Sequence, residues 1–297
     1  MVSKKLVALL LFLSSIISYN YTLDKTDLII FSYNRPTQLY ALLESLDAYV
    51  TGVENAHVIY RADDERFSAA YVQVNNSFPN VSFHKQGISP HQDFKPMVEN
   101  LLLQGTANYI LFAVDDIIVT DCIDLDACVQ ELQKTDAYGF YFRLGTNLTE
   151  CYMLARKQPL PQLTAVSENI HSWTLGEGMC DWGYPNTVDM TLYKKSDIVP
   201  TICTLSYRAP NSLEGSWAHQ ARFVKNKKGL CFTQSKMVNI PVNLTQQEYT
   251  NNRNMEGLST QEMLALFEQG LKIDIAPLCR IMNKSAHMEY VFTFIGR

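Results

Sequence analysis

The run Tyr109-Ile110-Leu111-Phe112-Ala113-Val114, unbroken in its apolarity and stopped by Asp115 and Asp116, constrains the fold more than any other feature of the chain. A strand apolar on both faces has to be covered on both, which places it inside a sheet with helices above and below. Its surroundings supply that setting. Asp27–Ser32 reads as a strand that ends at Tyr33-Asn34-Arg35-Pro36. Pro36 suits a helix's first turn, and Leu39, Leu42, Leu43 and Leu46 then recur at i, i+3, i+4 and i+7. His57–Arg61 predicts a second strand, followed by Phe67, Ala70, Tyr71 and Val74 on one helix face. Val81–His84 predicts a third, leading through Gly87 and Pro90 to a helix with Met97, Val98, Leu101 and Leu102. After Asp116 come a helix face of Leu125, Cys128, Val129 and Leu132, and a strand over 137–144. Alternation of this kind predicts an α/β fold, Rossmann-like, with a mostly parallel central sheet flanked by helices.

The second half is less regular. Cys180–Pro185 reads as a loop, and Val188, Met190 and Leu192 alternate as a strand does. Trp217, Ala221 and Val224 fall on one helix face. Ser259 or Thr260 is placed to cap a helix carrying Met263, Leu264 and Phe267 that stops at Gly270. No second linker is visible, so residues 20–297 are expected to form one domain, with a nucleotide-binding half over about 26–145 and an acceptor-binding half over about 146–297. Lys4 and Lys5 precede an apolar stretch from Leu6 to Ile17, and residues 1–19 read as a signal peptide or N-terminal anchor. An exported or membrane-associated protein is therefore expected, with a cytoplasmic location as the alternative. The seven cysteines are scattered and include no C-x-x-C pair, so no zinc site is indicated.

Charge narrows the partners. Lys and Arg total 25 and Asp and Glu 30, a net charge of −5, which argues against a nucleic-acid partner. Neither a G-x-G-x-x-G turn nor a P-loop is present, so dinucleotide-dependent hydride transfer and P-loop hydrolysis fall away. In an open parallel sheet the ligand binds beyond the carboxyl ends of the strands. Three such ends carry polar groups: Ser32–Arg35, Arg61–Asp64, and Asp115 with Asp116. Two adjacent carboxylates ending an apolar strand need compensation, which oxygen coordination of Mn²⁺ or Mg²⁺ would provide; capping of the following turn is the other reading.

Phe31-Ser32-Tyr33-Asn34-Arg35-Pro36, Val58-Ile59-Tyr60-Arg61-Ala62 and Leu111-Phe112-Ala113-Val114-Asp115-Asp116 resemble the corresponding segments of GT-A fold nucleotide-sugar glycosyltransferases. Val114-Asp115-Asp116 is similar to their D-x-D-type metal motif, with Val in its first position. Asp181-Trp182-Gly183-Tyr184-Pro185, Asn211-Ser212-Leu213-Glu214-Gly215 and Asn283-Lys284-Ser285-Ala286-His287-Met288 resemble segments of a bacterial glycosyltransferase family.

The resemblance implies a metal-dependent transfer of sugar from a nucleotide-sugar donor, UDP-linked, to a carbohydrate or other hydroxyl acceptor. It implies that Ser32, Asn34 and Arg35 hold the nucleotide, with Arg61 and Asp63 near the base and Lys95 reaching the base or a phosphate. Asp115 would approach ribose or metal and Asp116 would bind the metal, with His287 as a further ligand or else a structural histidine. An inverting course needs a carboxylate base. Glu214 is the first candidate, with Asp181 and Asp189 competing, although a Glu in a first helical turn is also favoured by the helix dipole. Trp182 and Tyr184 would face the acceptor, while Trp173 and Trp217 read as core. The rival functions are a sugar nucleotidyltransferase, whose Gly-rich basic loop is missing after the first strand, and a non-catalytic carbohydrate-binding or effector protein with the same fold.

Overall fold

The computed structural model describes residues 24–245 and 257–297; the expected signal or anchor at 1–19 lies outside them. The first half runs β1 (Thr26–Tyr33), α1 (Pro36–Tyr49), β2 (Val53–Arg61), α2 (Glu65–Ser77), β3 (Val81–Lys85), α3 (Pro90–Gln104) and β4 (Tyr109–Val114). A short β5 (Ile117–Val119), α4 (Leu125–Thr135) and β6 (Gly139–Tyr141) follow. The later chain contributes β7 (Thr164–Ser167), β8 (Ile170–Thr174), β9 (Thr191–Lys194), α5 (Lys195–Thr204), α6 (Pro210–Ala218) and β10 (Lys228–Phe232). It closes with β11 (Met237–Asn239), α7 (Thr260–Glu268), β12 (Leu271–Ile273) and β13 (Phe294–Gly296).

Nine strands form one sheet in the order β7-β8-β10-β6-β9-β4-β1-β2-β3. β1 is parallel to β2 and β4, β2 to β3, and β6 to β10. β9 runs against both β4 and β6, and β8 against both β7 and β10. Seven strands therefore share one direction and only β8 and β9 oppose it, so the sheet is mainly parallel. Alternate side chains of β1 divide the core. Leu28 and Ile30 pack with α1, α2 and α4 on one face, while Ile29 and Phe31 pack with α3 and α5 on the other. A third cluster joins Ile118 of β5, Val238 of β11 and Met263 of α7 to the C-terminal segment. Ser259 caps α7, accepting from the Glu262 N–H at 3.2 Å while the Glu262 carboxylate takes the Ser259 N–H at 2.8 Å. Among the described residues no helix is long and apolar enough to cross a membrane.

Three expectations about local structure change. The strand expected over 137–144 is only Gly139–Tyr141, because the Leu144 N–H turns back to the Tyr141 carbonyl at 3.1 Å. The alternating segment at Val188 joins the sheet only from Thr191. Its Val188 N–H is taken by the Glu214 carboxylate at 3.0 Å instead of a neighbouring strand. Trp217 and Val224 do not share a helix. α6 ends at Ala218, and the separate turn at Ala221–Phe223 buries nothing.

Candidate active site at the switch point between β1 and β4

From β1 the chain passes to β2 on one side, and after β3 it crosses to β4 on the other. The carboxyl ends of β1 and β4 therefore splay around a crevice, the place where such sheets bind ligands. A cleft of about 930 Å³ opens there. Ser32, Arg35, Asp115 and Asp116 line its sheet end, and Asp181, Asp189, Glu214 and His287 line the opposite wall.

The two adjacent aspartates differ in what they leave free. Asp115 is 4% exposed and both its oxygens are occupied. Oδ1 accepts from Arg35 Nη1 at 2.9 Å, and Oδ2 accepts from Ser32 Oγ at 2.9 Å and the Tyr33 N–H at 3.1 Å. Burial pushes its carboxyl up, and the Arg35 charge opposes the push. Asp116 is the more open. Its Oδ2 lies 3.7 Å from Arg35 Nη1, and its Oδ1 accepts from Asn239 Nδ2 at 3.2 Å.

Arg35 is engaged with its own chain. Besides Asp115 it donates from Nε to Asn243 Oδ1 at 2.9 Å and from Nη2 to the Asn243 carbonyl. Ser32 is similarly engaged, its Oγ 2.6 Å from the Tyr71 hydroxyl, and the Ser32 and Arg35 side chains both line the cleft while supporting Asp115. Lys95 does not line the cleft. Its Nζ donates to the carbonyls of Leu205 at 2.6 Å and Cys203 at 3.2 Å.

At the rim, Asp63 draws the β1 and β2 ends together. It accepts from the Tyr33 hydroxyl at 2.6 Å, Asn34 Nδ2 at 3.0 Å and Arg61 Nε at 3.0 Å. The Arg61 guanidinium lies 4.4 Å from the Tyr33 ring centroid, and these two side chains line the cleft, whereas Asn34 and Asp63 do not. Asn34 has φ 52°, a left-handed conformation that asparagine tolerates.

On the opposite wall Glu214 sits one turn into α6. Its Oε1 accepts from Thr187 Oγ1 at 2.5 Å and from the Val188 N–H at 3.0 Å. Burial, reinforced by the charge of Asp189, pushes its carboxyl up to about 7. The Asp189 carboxyl is also raised, by burial first, with His287 and Arg143 opposing and Asp116 adding to the rise. Asp181 is buried, with Oδ1 3.7 Å from Arg143 Nη1. Tyr184 lines the cleft and its carbonyl accepts from Arg143 Nη2 at 2.8 Å. Trp182 is enclosed rather than acceptor-facing: it is 0% exposed and meets Trp173 edge-on at 4.9 Å between centroids.

Asn239 of β11 links Asp116 to the C-terminal segment, donating its N–H to the Ala286 carbonyl and accepting from the Met288 N–H, each at 2.9 Å. His287 is thereby held against the cleft, where its Nδ1 and the Asn239 Oδ1 are buried with no hydrogen-bond partner. Unpaired buried polar atoms are rare in folded proteins. Both atoms are lone-pair donors of the kind that divalent cations accept, and they belong to residues lining the same cleft as Asp116. Among the described residues, carboxylate, imidazole and thiol groups do not gather in threes suitable for a metal.

Sequence reasoning missed Arg143, Asn239, Asn243 and Thr187. Arg143 had a signal: a cation inside the apolar run Phe140–Leu144 has to be paired when buried, as it is at 2% exposure. The other three carried none, since single Asn and Thr residues are common and their partners are remote in sequence.

No family model matches the chain. Over 189 residues it is 27% identical to the bifunctional glycosyltransferase pgtA of Dictyostelium discoideum, a match covering 58% of this chain and 24% of that protein. The chain thus spans about a quarter of the length of this curated relative. Among solved structures it is similar to S. aureus TarS 1-349 in complex with UDP, with TM-score 0.47, 14% identity and coverage of 70% and 58% of the two chains. It is also similar to the mannosyltransferase PcManGT from Pyrobaculum calidifontis in complex with GDP-Man and Mn²⁺, with TM-score 0.41, 8% identity and coverage of 71% and 56%. The resemblance to glycosyltransferases carried by the strand-end motifs is met by a curated relative that is itself a glycosyltransferase.

Proposed function

We propose that this chain is a glycosyltransferase that moves a sugar from a nucleotide-sugar donor, UDP-linked, to an acceptor hydroxyl with inversion, and that it uses Mn²⁺ or Mg²⁺. The observation that carries the reading is the opposition across one cleft of Asp116, at the β4 end, and Glu214, whose carboxyl is pushed up to about 7. Asp116, Asn239 Oδ1 and His287 Nδ1 are the groups that would hold the cation, which when bound supplies positive charge to the departing diphosphate. Arg35 and Asp115 fix where the Asp116 backbone leaves β4. Glu214 acts as general base: a carboxylate with this pKa is about half ionised at neutral pH and basic enough to take a hydroxyl proton as the bond to the sugar forms. Thr187 and the Val188 N–H hold that carboxylate in place and leave Oε2 for the acceptor.

The test is release of nucleoside diphosphate from a panel of nucleotide sugars by the purified chain, with Mn²⁺ and with chelator. The proposal expects turnover with a UDP-sugar, lost with chelator and lost in Asp116→Ala. A second reading, binding without turnover, is favoured by one observation, that Arg35 already neutralises Asp115 without a metal. It would be adopted if UDP binds and no donor is ever turned over.

A further inference from the structure

Two thiols remote from the cleft converge on one spot. Cys122 lies on the loop between β5 and α4, and Cys279 lies on the turn after Ala276–Leu278; both are exposed and both are free. Their neighbours are directly bonded. The Arg280 N–H donates to the Thr120 carbonyl at 2.7 Å, and Arg280 Nε donates to Asp121 Oδ1 at 3.2 Å. Lys236 also reaches Asp121, so the loop is anchored from a second side. At the end of α1 the Tyr49 hydroxyl contacts the Cys279 thiol, and its ionisation is opposed by that contact first, then by burial and by Cys122 and Asp121. A single hydroxyl thus lies close to both thiols, as does the Arg280 guanidinium, which both sulfurs favour in its charged form. The remaining cysteines are buried or half-buried.

We propose that Cys122 and Cys279 form a disulfide under oxidising conditions, pinning the segment that carries Asn283 and His287 to the loop after β5. The pairing already present, backbone to backbone from Arg280 to Thr120 and side chain to side chain from Arg280 to Asp121, holds the residues next to the two cysteines in direct contact, and a disulfide needs their Cα atoms within about 7 Å. The step balances with a disulfide co-oxidant of the glutathione class. The two thiols give up two protons and two electrons, one S–S bond forms, and oxidised glutathione leaves as two thiol molecules. The bond would close a long loop of chain, the case in which a cross-link most restricts the unfolded state. Asn147 holds Asn283 at 3.0 Å and Asn239 holds Met288 at 2.9 Å, so the pinned segment is the one that presents His287 to the cleft.

The experiment treats the folded full chain with oxidised glutathione, alkylates the remaining thiols, digests, and reads peptides by mass spectrometry. The proposal expects the seven thiols to fall by two to five, and a Cys122–Cys279 cross-linked peptide lighter by about 2 Da than the sum of its reduced parts. It also expects a rise in Tm that dithiothreitol reverses. Cys122→Ser or Cys279→Ser alone should leave the partner as a mixed disulfide with glutathione and remove the rise in Tm. Glutathione on both cysteines without a cross-link, or a cross-link from either one to a different cysteine, overturns the proposal. None of these readouts uses glycosyl transfer, so they stand apart from the assignment of activity.

Discussion

Arg35 Nη1 lies 2.9 Å from Asp115 Oδ1, and the two side chains are 10% and 5% exposed. A buried guanidinium and a buried carboxylate at the end of a core strand depend on each other. Either one alone is an uncompensated charge in a poorly solvated place. Arg35→Ala should therefore destabilise the fold by about 3–5 kcal/mol, and Asp115→Ala by a similar amount. The double variant should fall well short of the sum, because it removes the stranded charge together with its partner. Urea unfolding of the three variants measures this. Losses of only a few tenths of a kcal/mol in the single variants would mean the pair is solvated and Arg35 is free to bind a ligand.

Trp182 makes the contrasting prediction. Its ring is sealed against Trp173, whose Nε1 donates to the Trp182 carbonyl at 3.3 Å. Trp182→Ala leaves a large cavity and should destabilise by about 3–5 kcal/mol, with Trp182→Phe intermediate. Thermal melts should show the two steps in order. A ring that served as an exposed sugar platform would leave Tm unchanged in both variants.

The same contrast explains what could be read in advance. β4 was legible to the residue, because a strand flanked by β1 and β9 is buried on both faces and only a continuous apolar run satisfies that. α1, α2 and α4 were legible because each buries one stripe against the sheet. Roles were less legible than positions. Arg35 and Lys95 are cations placed near strand and helix ends, and sequence does not say whether a cation there meets a substrate phosphate or a carbonyl of its own chain. In Arg35 the answer came from Asn243, some two hundred residues later; in Lys95 it came from Cys203 and Leu205. The Cys180–Pro185 segment looked like a surface loop from its glycine and proline, yet Trp182 within it is fully buried.

His57 Nδ1 and His84 Nε2 are 3.2 Å apart on the adjacent parallel strands β2 and β3. Burial lowers both pKa values, and for His84 the neighbouring His57 adds to the effect. The sign follows directly. Groups that bind protons less well in the folded state than in the unfolded state stabilise the fold above the ordinary histidine range, and that contribution is lost as pH falls through the lowered values. The urea midpoint of His84→Gln should therefore rise relative to that of the parent as pH is lowered from 7.5 to 5, because the variant lacks one of the groups that resist protonation. A difference between the two midpoints that is constant across that range would contradict the geometry.

Glu214 ties stability to activity with opposite signs. Its carboxyl is raised from the ordinary 4.5 to about 7 by burial and by Asp189, so between those values the folded state holds a proton that the unfolded state has released. The contribution of Glu214 to stability must then decline as pH climbs through that interval, because folding binds the proton that rising pH removes. Glutamine is nearly isosteric, can still accept from Thr187 and the Val188 N–H, and carries no charge to desolvate. Glu214→Gln should therefore be at least as stable as the parent at pH 8 while losing about 10²–10⁴-fold in transfer rate, the usual contribution of a general base. In the parent the rate should fall about tenfold per pH unit below 7, since only the ionised carboxylate accepts the proton. Removing the adjacent charge in Asp189→Asn should move that limb toward lower pH. If instead the limb vanishes in Asp189→Asn and survives in Glu214→Gln, then Asp189 is the base and Glu214 is the residue that positions it.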